Sequence, residues 1–306
     1  MSGRGRPVTY SVCFYDLPGP ELVEAAVLAE QLGFDICWLG EHLFLPTAYR
    51  SVHPTRDEGT ERRAPIIDGR TELLDPFVMA GAVAAATTRL RFGTAVYLAT
   101  LRHPLLGARA AATAWTLSGG RFLLGVGAGW LREEFDVLGV PFERRGALLD
   151  EAIDLFRRAW AGGPFTHRGA HWELPEVQVC PEPLAVPLVT GGNSDAALRR
   201  AGRLADGWIN SGAAAPEQLA RARDAIEAER RAAGRSGRPF TYWARPPALD
   251  PELSDQLAAE GFDQQVIWGH QLWPAGAGHD REEKRHTMIT TAATFGLGHA
   301  PAPVPS

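Results

Sequence analysis

The stretch that decides the fold is residues 102–145, RHPLLGARAAATAWTLSGGRFLLGVGAGWLREEFDVLGVPFERR. Its first part, residues 104–117, is rich in Ala and Leu and starts at His103-Pro104, which predicts a helix. Gly119 and Gly120 let the chain stop and reverse. Residues 122–126, FLLGV, form a short apolar run of the kind buried in a parallel sheet. The run leaves through Gly127-Ala128-Gly129, where missing side chains allow close approach to the backbone. An acidic segment then leads into another helix. The unit is therefore a helix, a strand, and a glycine-rich loop at the strand's carboxyl end.

Outward from this segment the alternation repeats. Residues 8–15 (VTYSVCFY) predict a first strand, 21–32 a helix closed by Gly33, and 35–39 (DICWL) a second strand. Strand, helix and strand at this spacing make a parallel, right-handed βαβ unit. Asp75-Pro76 starts a helix running to Thr87. Residues 90–98 and 121–126 predict the third and fourth strands, with a helix over 144–160. The later strands fall at 187–190, 206–210, 240–244 and 264–268. Eight alternations predict an α/β fold, a closed (β/α)8 TIM barrel, as one domain over residues 1–298. The Pro/Ala-rich tail 299–306 (HAPAPVPS) is expected to be disordered.

Composition narrows the function. The 306 residues are 45% hydrophobic, as in an enzyme with a large core, and carry a net charge of −5. That balance argues against a nucleic-acid partner. Three cysteines, Cys13, Cys37 and Cys180, show no CxxC spacing, so neither a disulfide framework nor a zinc site is expected. No run of 18 apolar residues exists, and MSGRGRPV lacks the apolar region of a signal peptide. A cytoplasmic protein acting on a small molecule, with no membrane partner, is the expectation.

Two insertions exceed the usual loop lengths: one after strand 2, the other before strand 5. Residues 43–71 follow the second strand and are expected to form a lid over the barrel's carboxyl-end mouth, the alternative being a surface excursion. Residues 162–184 contain FTHRGAHWEL, which predicts a hairpin turning near Gly169. His167 and His171 are i, i+4, but Gly169 opposes a helix and HExxH is absent, so they read as surface histidines and no metal site is expected.

Candidate chemistry sits at strand ends. His42 follows the second strand in Gly40-Glu41-His42, where an imidazole can move a proton; Glu41 could orient it. The bland alternative is a histidine that bonds the lid backbone. Gly191-Gly192-Asn193-Ser194 lies between the fifth strand and a helix, so free N–H groups and the helix dipole make an anion site, with Ser194 also able to cap the helix. Gly125-x-Gly127-x-x-Trp130 falls short of a dinucleotide fingerprint, which disfavours a Rossmann fold.

The stretches R-H-P-L-L-x-A-R-A-A-A-T, L-S-G-G-R-F-L-L-G-V-G-A-G-W-L-R-E-E-F and L-G-V-P-F-x-x-R together resemble the bacterial luciferase-like monooxygenase family, most closely its branch that uses the deazaflavin coenzyme F420. The resemblance implies that Glu41 and His42 sit beside a flavin-like ring and that Leu98 and Ala99, in a bulge often carrying a non-prolyl cis peptide, support it. It implies that Gly127, Ala128 and Gly129 wall the cofactor pocket, and that Gly191, Gly192, Asn193 and Ser194 bind its phosphate. Tyr15, Trp268 and His270 are expected to face the substrate. The implied reaction is hydride transfer between F420 and a small organic substrate. Alternatives are an FMN-dependent monooxygenase and a non-catalytic flavin-binding barrel. One departure is Ala114-Trp115-Thr116, where the family usually has an Asp before L-S-G-G-R. An aromatic on that helix, with its Ala-rich neighbours, leads to the expectation of a homodimer.

Overall fold

The computed structural model describes residues 7–14, 17–52, 69, 71–273 and 280–298. Eight parallel strands close into a barrel. In chain order the elements are β1 (Thr9–Phe14), α1 (Gly19–Leu32), β2 (Ile36–Leu39), α2 (Pro76–Ala86), β3 (Arg91–Thr94), α3 (Pro104–Leu117), β4 (Phe122–Val126), α4 (Arg132–Leu138) and α5 (Arg145–Trp160). An antiparallel hairpin, β5 (Phe165–Arg168) and β6 (Glu173–Val177), stands outside the barrel. The barrel resumes with β7 (Leu188–Gly191), α6 (Asp195–Leu204), β8 (Gly207–Ile209), α7 (Pro216–Ala232), β9 (Thr241–Ala244), α8 (Pro251–Ala259), β10 (Gln264–Trp268), α9 (Gly269–Leu272) and α10 (Arg281–Thr294). Round the barrel the order is β1-β10-β9-β8-β7-β4-β3-β2. Closure is made by β1 on β10, with Cys13 opposite Trp268.

Period-2 alternation divides the core. Cys13, Trp38, Leu123, Val189, Trp243 and Val266 cluster inside the barrel, where Trp38 and Trp243 meet edge to face at 5.4 Å. Their neighbours along the strands, such as Val12, Phe92, Phe122 and Leu124, pack outward under the helices. The Ser-Gly-Gly-Arg turn is structural. Ser118 Oγ accepts from the Arg121 N–H at 3.1 Å, and the Arg121 guanidinium donates to the carbonyls of Ala84, Thr87 and Leu90, tying β4 to the end of α2. All three cysteines are buried free thiols.

Several expectations are corrected. The third strand ends at Thr94, not at residue 98; a cis Ala95–Val96 bond follows, and the chain then enters a short 3-10 turn, Ala99–Leu101. The helix α4 is an element the sequence reading did not separate from the acidic segment. His167 is not a surface histidine: it is buried, and its Nε2 meets Glu151 Oε1 of α5 at 3.0 Å. His171 is half-buried, and its N–H donates to the same carboxylate. Trp115 packs on Gly120 of its own chain, and a Cβ there would lie 3.3 Å from the ring. Most of the expected lid, the expected tail and Tyr15 fall outside the described residues. Among the described residues no group of three or more metal-ligating side chains occurs, and no helix is long and apolar enough to cross a membrane.

Candidate active site

The carboxyl ends of the strands gather the candidate residues at one rim. His42 lies three residues beyond β2, and its Nδ1 meets Glu134 Oε2 at 3.2 Å. The second Glu134 oxygen accepts the Leu43 N–H at 2.8 Å. Glu134 comes from α4 and is fully buried, while the His42 side chain keeps 16% exposure. With a carboxylate on Nδ1, the hydrogen sits on that nitrogen and Nε2 is left to exchange a proton. The edge of the imidazole lies against Trp130 at 5.7 Å, and Trp130 also meets Tyr49 at 6.3 Å.

Glu41 does not orient His42. Its carboxylate accepts from the Leu98 N–H at 2.7 Å and from Arg102 Nη2 at 2.6 Å. Burial pushes the Glu41 carboxyl pKa up, against the opposing pull of the Arg102 guanidinium and the Leu98 N–H. Glu41 thus ties the segment after β3 to the end of β2. The orienting role belongs to Glu134, 92 residues away from His42. Its only sequence signal is the Glu133-Glu134 pair after the glycine-rich exit.

Neighbouring Glu133 holds the start of the long loop. Its carboxylate accepts the N–H of Arg50 at 2.6 Å, the N–H of Ser51 at 3.2 Å and the Ser51 hydroxyl at 2.7 Å. Burial works against ionisation here, but the Ser51 hydroxyl and the N–H groups together outweigh it, holding the pKa down at about 2.

The glycines after β4 fit closely against the segment after β3. A Cβ on Gly127 would lie 2.4 Å from Val96 Cγ2, and one on Gly191 would lie 2.8 Å from Val96 Cγ1. Val96 therefore sits between the ends of β4 and β7, a position the sequence reading did not single out. Leu98 and Ala99 are both buried, whereas Val96 is half-buried. Gly129 has φ +85° and faces the Phe135 ring. Ala128 is half-buried, and its carbonyl accepts from the Thr100 hydroxyl at 3.2 Å. A cavity of about 60 Å³ lies beside Glu41 and His42, bounded also by Leu39, Pro76 and Met79.

At the end of β7, Ser194 caps α6, its Oγ accepting from the Ala197 N–H at 3.3 Å. Asn193 bonds Ser211 in both directions: Nδ2 donates to the Ser211 carbonyl at 2.7 Å, and Oδ1 accepts the Ser211 N–H at 2.9 Å. The Gly192 carbonyl accepts from Trp208 Nε1 at 2.8 Å. At φ +116° Gly192 turns the chain where a Cβ would meet the Ala197 Cβ at 3.0 Å. Asn193 and Ser194 are exposed, so the capped helix end opens outward. Trp268 closes β10 and is buried. Its N–H donates to Gln271 Oε1 at 2.9 Å, and its ring lies under Arg245. His270 belongs to α9. A larger cleft of about 460 Å³ sits outside the barrel between α1 and α10 and takes in none of these residues.

The sequence and the fold can be placed among known proteins. The family model described as luciferase-like monooxygenase matches residues 5–294. An uncharacterised Mycobacterium tuberculosis protein, Rv0940c, is 34% identical over 219 residues, covering 71% of this chain and 74% of that protein. An F420-dependent glucose-6-phosphate dehydrogenase from Nakamurella multipartita is 34% identical over 203 residues, covering 65% of this chain and 54% of its own. The coenzyme F420 dependent tetrahydromethanopterin reductase from Methanopyrus kandleri superposes with a TM-score of 0.69 at 16% identity, over 94% of this chain and 99% of that one. The barrel and the match across nearly its whole length establish that the chain belongs to the luciferase-like monooxygenase family.

Proposed function

We propose that this barrel is an oxidoreductase that moves a hydride between coenzyme F420 and a small organic substrate. The observation that carries the reading is the pairing at one rim of a buried Glu134–His42 dyad with an outward-opening, Ser194-capped helix start. The similarity to F420-dependent relatives supports the choice of cofactor.

The residues present fit such a cofactor. Gly192 and the first N–H groups of α6 leave a cradle that a side chain at Gly192 would narrow, suited to a phosphate. The half-buried Val96, together with Ala128, offers an apolar bed for a flat ring, and the neighbouring Leu98 and Ala99 are buried. When bound, a deazaflavin would supply or take up the hydride. His42 carries a proton on Nε2 to or from the substrate atom that changes charge, because Glu134 fixes the other nitrogen. Trp130 packs against the imidazole, with Tyr49 behind it, and limits water there. Glu41 and Arg102 hold the segment after β3 in register with His42.

The test is calorimetric titration of the purified protein with F420 and, separately, with FMN, followed by a hydride-transfer assay. F420 is expected to bind at least about tenfold more tightly, a difference of roughly 1.4 kcal/mol. Strong FMN binding with none of F420 would overturn the reading.

A further inference from the structure

Three arginines are buried among the described residues: Arg200, Arg230 and Arg245. Arg200 is paired with Asp150, and Arg230 with Glu227 at 3.1 Å. Arg245 pairs with no carboxylate among the described residues. Its residue is only 4% exposed, its Nε has no partner, and its Nη2 reaches only the sulfur of Cys13 at 3.5 Å. The guanidinium carbon lies 4.2 Å from the centroid of the Trp268 ring. A thiol is a weak acceptor, and an aromatic face offsets only part of the cost of burying a charge.

Arg245 is also held in place with care. It directly follows β9. Its N–H donates to Asn210 Oδ1 at 2.7 Å, and its carbonyl accepts from the Ala214 N–H at 3.1 Å and from Asn210 Nδ2 at 3.4 Å. Asn210 in turn donates to the Gly212 carbonyl at 2.7 Å. The side chain crosses to the ends of β10 and β1, where Trp268 and Cys13 are register partners. It therefore lies at the carboxyl-end rim, with β10 and β1 between it and β2, which leads to His42, and with β8 between it and the end of β7. A planar, permanently charged fork with no counter-charge among the described residues, at the rim where the reaction is proposed, matches an oxyanion that arrives with a ligand.

We propose that Arg245 binds an oxyanion, a carboxylate or phosphate group, on the substrate, so that this enzyme acts on small anionic molecules. The proposal rests on the barrel mouth being the reaction site. Charge–charge recognition at Arg245 orients the substrate from the β9 side, while His42 serves the reacting end from the β2 side.

The test titrates benzoate and inorganic phosphate by calorimetry into F420-saturated protein and into cofactor-free protein. At least one anion is expected to bind the wild type. Arg245→Met should weaken it roughly 10- to 100-fold, as for a lost charge-assisted hydrogen bond, with F420 affinity changed less than about twofold. The melting temperature of Arg245→Met should hold or rise, since a buried unpaired charge gives way to an apolar chain of similar length. Arg245→Lys, which keeps the charge and loses the fork, should retain part of the affinity. Failure of both anions to bind the wild type overturns the proposal. A loss of F420 affinity in Arg245→Met overturns it too, since the guanidinium would then serve the cofactor. So does a lower melting temperature with anion binding unchanged, which would make Arg245 a prop. If F420 does not bind but Arg245-dependent anion binding persists in cofactor-free protein, the cofactor reading falls and the oxyanion site stands.

Discussion

At the ends of β2 and β3 the rim is made of two buried carboxylates with half-buried partners: Glu41 with Arg102, and Glu134 with His42. At the end of β7 it is made of a half-buried Gly192 and the exposed Asn193 and Ser194. The two regions are built for different tasks. Buried polar groups that bond one another hold a fixed geometry, because any movement leaves a donor or acceptor stranded in a poor solvent. An outward-facing helix start offers N–H groups that water satisfies until an anion replaces it. Proton transfer needs the first arrangement, and reversible capture of a phosphate needs the second.

The largest effect expected from breaking this contrast is at His42. His42→Ala should lower turnover by roughly 10² to 10⁴ with little change in cofactor affinity, since a proton carrier matters only when the proton moves. Steady-state kinetics beside a cofactor titration check this; near-full turnover would remove the proton role, and lost cofactor binding would make His42 a wall of the pocket. Glu41→Ala comes next, as a stability effect. It strands Arg102 and the Leu98 N–H, and should cost about 3 kcal/mol in denaturant unfolding, within the range for breaking a buried pair whose arginine is partly exposed. An unchanged midpoint would show that the network adds little.

On the β7 side the effects should be smaller. Ser194→Ala should weaken F420 binding by about 1 kcal/mol, because the backbone N–H groups remain. Loss of the cap should also cost about 1 kcal/mol of stability. A Ser194→Ala effect on turnover as large as that of His42→Ala would erase the distinction between the two regions. The smallest effect concerns Glu133 and the start of the loop. Its folded pKa, about 2, lies below the ordinary 4.5. Its clasp on Arg50 and Ser51 therefore contributes fully above pH 4.5 and fades as pH falls towards 2. Amide exchange protection at Arg50 and Ser51 should drop over that window, and Glu133→Gln should abolish the pH dependence.

Much of this was legible along the chain. Alternation of apolar runs with helical spacing is a local property, so β4 and α3 emerge from residues 102–145 with almost their observed bounds, and β10 from residues 264–268 with its own. The Ser194 cap is equally local, since a hydroxyl three residues before the N–H it accepts defines it. His167 was misread for the opposite reason: its burial depends on Glu151, sixteen residues earlier on a different element.

What only the tertiary structure decided is which distant groups meet. Barrel closure brings α4 over the end of β2, so Glu134 and not the adjacent Glu41 takes His42 Nδ1. It seats Val96 between Gly127 and Gly191, and it sets Arg245 over Trp268 with no carboxylate among the described residues beside it. Sequence periodicity marks which face of an element is apolar, but carries the third strand past its end at Thr94. Partners across the rim are set by strand order and register, and those come from the closure of the barrel, to which each strand adds only a few residues.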